Sequence, residues 1–103
     1  MGKNMAQRYG LAKRVTRAEL ERAFPKALAT KSLIMIVGTY PKDREQPYFG
    51  ACYEFTGEFR TEADRGPDAE MELRGITENR FSKDGDAMFA VLSAYEFWTS
   101  KVW

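Results

Sequence analysis

The segment Ser32–Tyr40 (SLIMIVGTY) constrains the fold of this chain more than any other part of the sequence. It is a nearly continuous apolar run, rich in branched side chains, and it offers no polar face to water. A strand of this composition has to be covered on both faces, which is typical of a central strand in a sheet. Its wholly apolar part, Leu33–Val37, is too short to span a membrane. The sequence therefore predicts a domain built around a sheet.

Two further strands are predicted after the charged loop Pro41–Pro47. Apolar and polar residues alternate over Phe49–Arg60, with the apolar ones at Phe49, Ala51, Tyr53, Phe55 and Phe59. This alternation predicts an antiparallel strand with one buried face and one solvated face. The third strand is predicted over Glu70–Phe81, where Gly75 shifts the apolar phase and indicates a β-bulge.

A helix is predicted before the strands. Thr16 and Glu19 have the spacing of a capping box, and apolar residues then recur at helical spacing, which places the helix over Arg17–Ala29. Pro25 interrupts this pattern, because proline loses a backbone hydrogen bond and clashes with the preceding turn. The segment is therefore either one kinked helix or two short turns.

A second helix is predicted after the strands, from an N-cap at Asp86 to Thr99. Apolar residues follow helical spacing within it, at Met88, Val91, Leu92, Tyr95 and Trp98. Short loops between the strands favour antiparallel pairing. Together these elements predict an α+β fold in the order α-β-β-β-α, with a three-stranded antiparallel sheet and both helices on one face. The chain of 103 residues has the length of one domain, which is predicted over residues 11–103. Residues 1–10 are predicted to form a flexible basic arm.

The residue types present argue against most catalytic chemistry. The chain has no histidine, which removes the commonest general base and metal ligand, and its only cysteine is Cys52. That thiol shares a strand face with Glu54, whose charge opposes thiolate formation, so a structural thiol is expected. No phosphate-binding glycine motif occurs, and we expect no cofactor. No hydrophobic stretch follows the basic N-terminus, so a soluble cytoplasmic protein without a membrane partner is expected.

Charge is distributed unevenly and suggests two interaction hypotheses. The segment 54–72 carries seven acids against two arginines, and its acidic residues Glu58, Glu62, Asp64 and Asp68 are predicted to contact a basic surface of a protein partner. Residues 1–17 carry five bases and no acid. As an alternative function, this basic segment is predicted to bind nucleic acid through Lys3, Arg8, Lys13, Arg14 and Arg17.

Aromatic residues crowd the C-terminus in greater number than one helix stripe can bury. Some of them should therefore face a partner or a second copy of the chain, and the predicted contact residues are Tyr95, Phe97, Trp98 and Trp103. The leading hypothesis is a small non-enzymatic protein that modulates or inhibits a protein partner. A carboxylate- and metal-dependent enzyme is the second alternative, after nucleic-acid binding.

Overall fold

A computed structural model describes residues 5–30, 32–57 and 66–99 of the chain. One antiparallel sheet forms within them, with its five strands in the spatial order β1-β5-β4-β3-β2. The strands are β1 (Arg14–Thr16), β2 (Leu28–Ala29), β3 (Leu33–Thr39), β4 (Tyr48–Phe55) and β5 (Glu70–Ile76). The helices are α1 (Met5–Tyr9), α2 (Arg17–Ala23) and α3 (Asp84–Trp98). No helix in these residues is long and apolar enough to cross a membrane.

The α+β class and the three long strands are confirmed, but the prediction of a three-stranded sheet is wrong. Two short strands extend the sheet at its edges: β1 pairs with β5, and β2 pairs with β3. Strands of three and two residues are too short to produce a readable alternation. They form because the longer neighbours offer free backbone groups, as in the pairing of Val15 with Met71.

The two main helices lie on opposite faces of the sheet, so the prediction of a common face is wrong. Ile34 and Ile36 of β3 pack in one core cluster with Leu20 of α2. Leu33 and Met35 point to the other face and pack with Val91 of α3. Since successive side chains of a strand alternate between faces, these two clusters define two apolar layers on either side of the sheet.

The second apolar layer covers a face of β4 that the sequence predicted to be solvated. Cys52 and Glu54 are both buried there, although their alternation with apolar neighbours indicated an exposed face. Two glycines on the sheet allow α3 to approach closely. A Cβ atom at Gly50 would collide with Val91, and one at Gly75 would collide with the Trp98 indole.

Local signals explain where the helices begin and end. The Thr16 hydroxyl accepts a hydrogen bond from the Glu19 amide at 3.2 Å, so the predicted cap of α2 is confirmed. Helix α2 ends at Ala23, because a residue before proline is disfavoured in the helical region, and Pro25 follows two positions later. The rest of the predicted helix becomes a turn and β2. Helix α3 begins at Asp84, so the predicted N-cap at Asp86 is wrong.

The predicted bulge is confirmed between β4 and β5. Cys52 lies opposite Gly75, whereas the next residue of β4, Tyr53, lies opposite Leu73. Arg74 is therefore the extra residue of β5. Its guanidinium Nε lies 2.9 Å from a carboxylate oxygen of the buried Glu54.

Residues 5–9, within the segment predicted as a mobile arm, form α1 and contact the sheet through Tyr9. The Tyr9 ring stacks on Phe49 with the ring centroids 3.9 Å apart, and it meets Tyr40 edge-on at 5.3 Å. Arg80 donates a hydrogen bond to the Tyr9 hydroxyl at 3.2 Å and another to Asp43 at 3.1 Å. These contacts tie α1 to two loops at one end of the sheet.

Candidate functional site

The outer face of α3 exposes large apolar side chains. Phe89 is 72% exposed, Leu92 42% and Phe97 88%. At 3.6 residues per turn their directions fall within an arc of about 140°, so they lie on one side of the helix, and these three residues are here called the α3 stripe. The row extends about 12 Å at the rise of an α-helix. Exposed apolar rows of this kind commonly mark protein-interaction surfaces.

The inner face of α3 is apolar as well and already packs on the sheet, so the side chains of the α3 stripe remain exposed on the outer face. Ala87 and Val91 are fully buried against the sheet. Met88, Tyr95 and Trp98 pack partly buried around the same cluster. A helix of a monomeric domain usually buries one apolar stripe and presents polar residues elsewhere. Helix α3 departs from that pattern on its solvent side.

The polar groups near the α3 stripe either are already hydrogen-bonded or lie beside its ends, and this arrangement favours contact with a partner. The Ser93 hydroxyl, between the aromatic residues, donates to the Phe89 carbonyl at 2.9 Å, so it does not require a partner for hydrogen bonding. Asp86 precedes Phe89 by one turn, and Glu96 follows Leu92 by one turn. Residues 84–98 contain these acids and Asp84 but no basic residue. The stripe therefore has Ser93 between its two aromatic residues and an acidic side chain beside each of its ends.

The aromatic residues predicted to bind a partner differ in their exposure. Phe97 is exposed, whereas Tyr95 and Trp98 pack against the core cluster beneath α3. Trp103 lies outside the described residues. Phe89 and Leu92 were not among the residues predicted to contact a partner. The signal for both was the apolar composition all round the helix, which cannot all be buried on one side.

The structure describes only part of the predicted acidic surface. Asp68 is exposed, but the other three predicted acidic contacts lie outside the described residues: Glu58, Glu62 and Asp64. Glu72 contacts Arg14 at 3.1 Å and Arg74 at 3.2 Å. Nowhere in residues 5–30, 32–57 and 66–99 do three acidic or thiol side chains come together in a way that could hold a metal ion.

Two of the basic residues predicted to bind nucleic acid are paired with carboxylates. Arg14 is paired with Glu72, and the Arg17 guanidinium lies 2.9 Å from the Glu21 carboxylate. Arg8 and Lys13 are exposed, and Lys3 lies outside the described residues. Pairing with carboxylates lowers the charge that the arginines present to a phosphate backbone.

The one thiol of the chain is placed where it is chemically inert. Cys52 is fully buried in the central strand β4. Burial raises the pKa of its thiol to about 12, and the negative charge of Glu54 acts in the same direction. Because the thiolate is the reactive form, this site does not supply a nucleophile near neutral pH.

Two weakly acidic side chains buried in β4, those of Cys52 and Tyr53, predict that the fold loses stability at alkaline pH. The pKa of Tyr53 is also raised by burial, to about 12, and its hydroxyl donates to the Ala12 carbonyl at 2.6 Å. The unfolded chain ionises both groups at ordinary values of 9.0 and 10.0, before the folded chain does. The stabilisation that comes from keeping these two groups neutral is therefore complete below pH 9 and is lost as the pH rises toward 12.

We expect the free energy of unfolding to fall by at least about 2 kcal/mol between about pH 8 and pH 11. Urea denaturation at several pH values measures this. Tyr53→Phe should show a shallower fall above pH 10, since it removes one of the two acids but keeps the ring. An unfolding free energy that does not change up to pH 11 would contradict the prediction.

Comparison of this chain with protein-family models, curated proteins and solved structures finds no match. Function therefore has to be inferred from the surface of the chain itself. Within the described residues, three of the four exposed large apolar side chains belong to the α3 stripe.

Proposed function

We propose that this chain is a small non-enzymatic binding protein that modulates a protein partner through the α3 stripe. The observation that carries the proposal is the exposure of Phe89 and Phe97 on a helix whose opposite face already forms the core. Solvent exposure of such side chains is unfavourable in an isolated monomer, and large aromatic residues often dominate the energy of protein interfaces.

The partner surface that fits is an amphipathic helix with an apolar row and basic flanks. Two turns of a facing helix would cover the row from Phe89 to Phe97. Basic residues on either side of it would meet Asp86 and Glu96, which are exposed beside the stripe. Such a partner combines apolar burial with complementary charge.

A second copy of this chain fits the stripe less well. In an antiparallel pair of α3 helices, Asp86 of one copy would approach Glu96 of the other. Like charges in contact oppose association, and residues 84–98 offer no base to compensate. The charges therefore favour a different, basic partner over self-association.

The experiment uses a fluorescent amphipathic peptide built from leucine and lysine, with a leucine–glutamate peptide of the same pattern for comparison. The full chain should bind the lysine peptide and not the glutamate peptide. Phe89→Ser combined with Phe97→Ser should weaken binding about a hundredfold, since each removes an interface aromatic. Because both side chains are exposed, the double variant should unfold at the same urea concentration as the parent.

Leu28→Ser is the matched control, because Leu28 is an exposed apolar side chain outside α3. It should leave binding unchanged. If the control weakens binding as much as the double variant does, contact through the α3 stripe is excluded. If the parent chain self-associates and the double variant does not, a second copy occupies the stripe and the proposal of a basic partner is wrong.

A further inference from the structure

The edge of β3 is only partly covered by β2. Within the described residues, β2 pairs with β3 only at Ile34 and Met35. The chain before β2 turns away at Pro25, and the amide of Ala27 closes this turn by donating to the Phe24 carbonyl at 2.9 Å. The C-terminal half of β3 therefore extends past the end of its outer neighbour.

The direction of the backbone groups on this open edge follows from their neighbours. The Leu33 carbonyl accepts from Thr30 at 2.8 Å on the β2 side. The Tyr40 amide donates to Pro47 at 2.6 Å on the β4 side. Because backbone groups alternate sides along an antiparallel strand, the N–H and C=O groups of Val37 and Thr39 point to the open edge.

A groove of about 560 Å³ runs beside these groups. One wall is formed by Phe24 and Ala27, which belong to the core layer of α2. The other wall includes Met88, which belongs to the layer of α3 on the opposite face of the sheet. The groove thus lies in the plane of the sheet, next to the edge of β3, with one apolar wall above it and another below it.

We propose that this groove takes up an extended apolar segment of a partner protein, which adds to β3 as a further strand. Val37 and Thr39 supply its main-chain hydrogen bonds, and alternate side chains of the segment meet the Phe24 wall and the Met88 wall. Lys26 and Asp84 line the groove with opposite charges, so the segment that fits carries no net charge. This surface is separate from the α3 stripe.

Hydrogen exchange of the full chain gives the first test. The amides of Val37 and Thr39 should exchange much faster than those of Ile36 and Gly38, which point toward β4. Slow exchange at Val37 and Thr39 in the free chain would mean that the edge is already closed, and it would overturn the proposal.

Peptide titration followed by NMR gives the second test. The probes are capped heptapeptides that alternate threonine with valine, leucine or phenylalanine. At least one should shift the Val37 and Thr39 amide resonances and slow their exchange. N-methylation at alternate residues of that peptide should reduce affinity at least tenfold, because it removes the donors that face β3. Equal affinity of the methylated peptide, or no shift with any peptide at millimolar concentration, would overturn the proposal.

A variant of the chain tests the same edge from the other side. Thr39→Pro removes an outward N–H but no hydrogen bond to β4, and proline is tolerated on sheet edges. It should reduce peptide affinity about tenfold, whereas Thr39→Val should not. The N-methylated peptide keeps the proposal testable if Thr39→Pro does not fold.

Discussion

Replacing Gly50 by alanine is expected to destabilise the fold by about 2–3 kcal/mol, the upper part of the usual range for an overpacked core. The added methyl group would collide with Val91 and lie 2.8 Å from the Ala87 carbonyl oxygen. Neither can move easily, because Val91 is fully buried and the carbonyl belongs to the backbone of α3. The helix would have to shift away from β4, with loss of its packing.

Urea denaturation measures this effect, with Gly85→Ala as the control. Gly85 also belongs to α3, but a Cβ atom there meets no atom within 4 Å, and its substitution should change stability by less than about 1 kcal/mol. Combining Gly50→Ala with Val91→Ala should cost less than the sum of the two single changes, since each relieves the other. Equal losses for Gly50→Ala and Gly85→Ala would show that α3 does not sit on Gly50.

The same close approach explains why one face of the sheet could not be predicted from the sequence. Alternation over the strand β4 correctly indicates its pairing and the apolar face of Tyr53, which is fully buried. It also indicates that Cys52 and Glu54 face water, because alternation with a carboxylate is typical of a solvated face. Burial of that face depends on two conditions far apart in the chain. Glycine must be present where α3 crosses, and Arg74 must reach the Glu54 carboxylate.

The edge strands β1 and β2 could not be predicted for a different reason. The long strands β3, β4 and β5 have enough residues for a period of two to be visible. A strand of two residues, such as Leu28–Ala29, has no period, and its pairing depends on the register of its neighbour. The open half of β3 follows from this short pairing, so the groove beside it was also beyond prediction.

The candidate stripe was predicted in part. The surplus of aromatic residues near the C-terminus is visible in the sequence, and it correctly indicates an exposed aromatic at Phe97. Which of the others face inward depends on how α3 is rotated on the sheet. Contact of Trp98 with Gly75, and of Val91 with Gly50, fixes that rotation. Phe89 is thereby placed outside.

Replacing Arg74 by methionine is expected to destabilise the fold by about 3 kcal/mol. Methionine preserves much of the packing of the arginine stem but removes the guanidinium beside Glu54, whose side chain is only 4% exposed. Loss of a countercharge from a buried carboxylate is among the costliest single changes, because the charge keeps its desolvation penalty. The expected loss of stability lies at the lower end of the range for such pairs, since the Arg74 side chain is 28% exposed to solvent.

Two comparisons separate this electrostatic effect from lost packing. Arg14→Met removes another guanidinium that contacts Glu72, but the Arg14 side chain is 62% exposed, and the loss should stay below about 1 kcal/mol. Glu54→Gln in the Arg74→Met background should recover part of the stability, because it removes the buried charge that was left behind. If Glu54→Gln brings no recovery, the cost of Arg74→Met comes from packing at the bulge, and the ion pair is not what stabilises this face of the sheet.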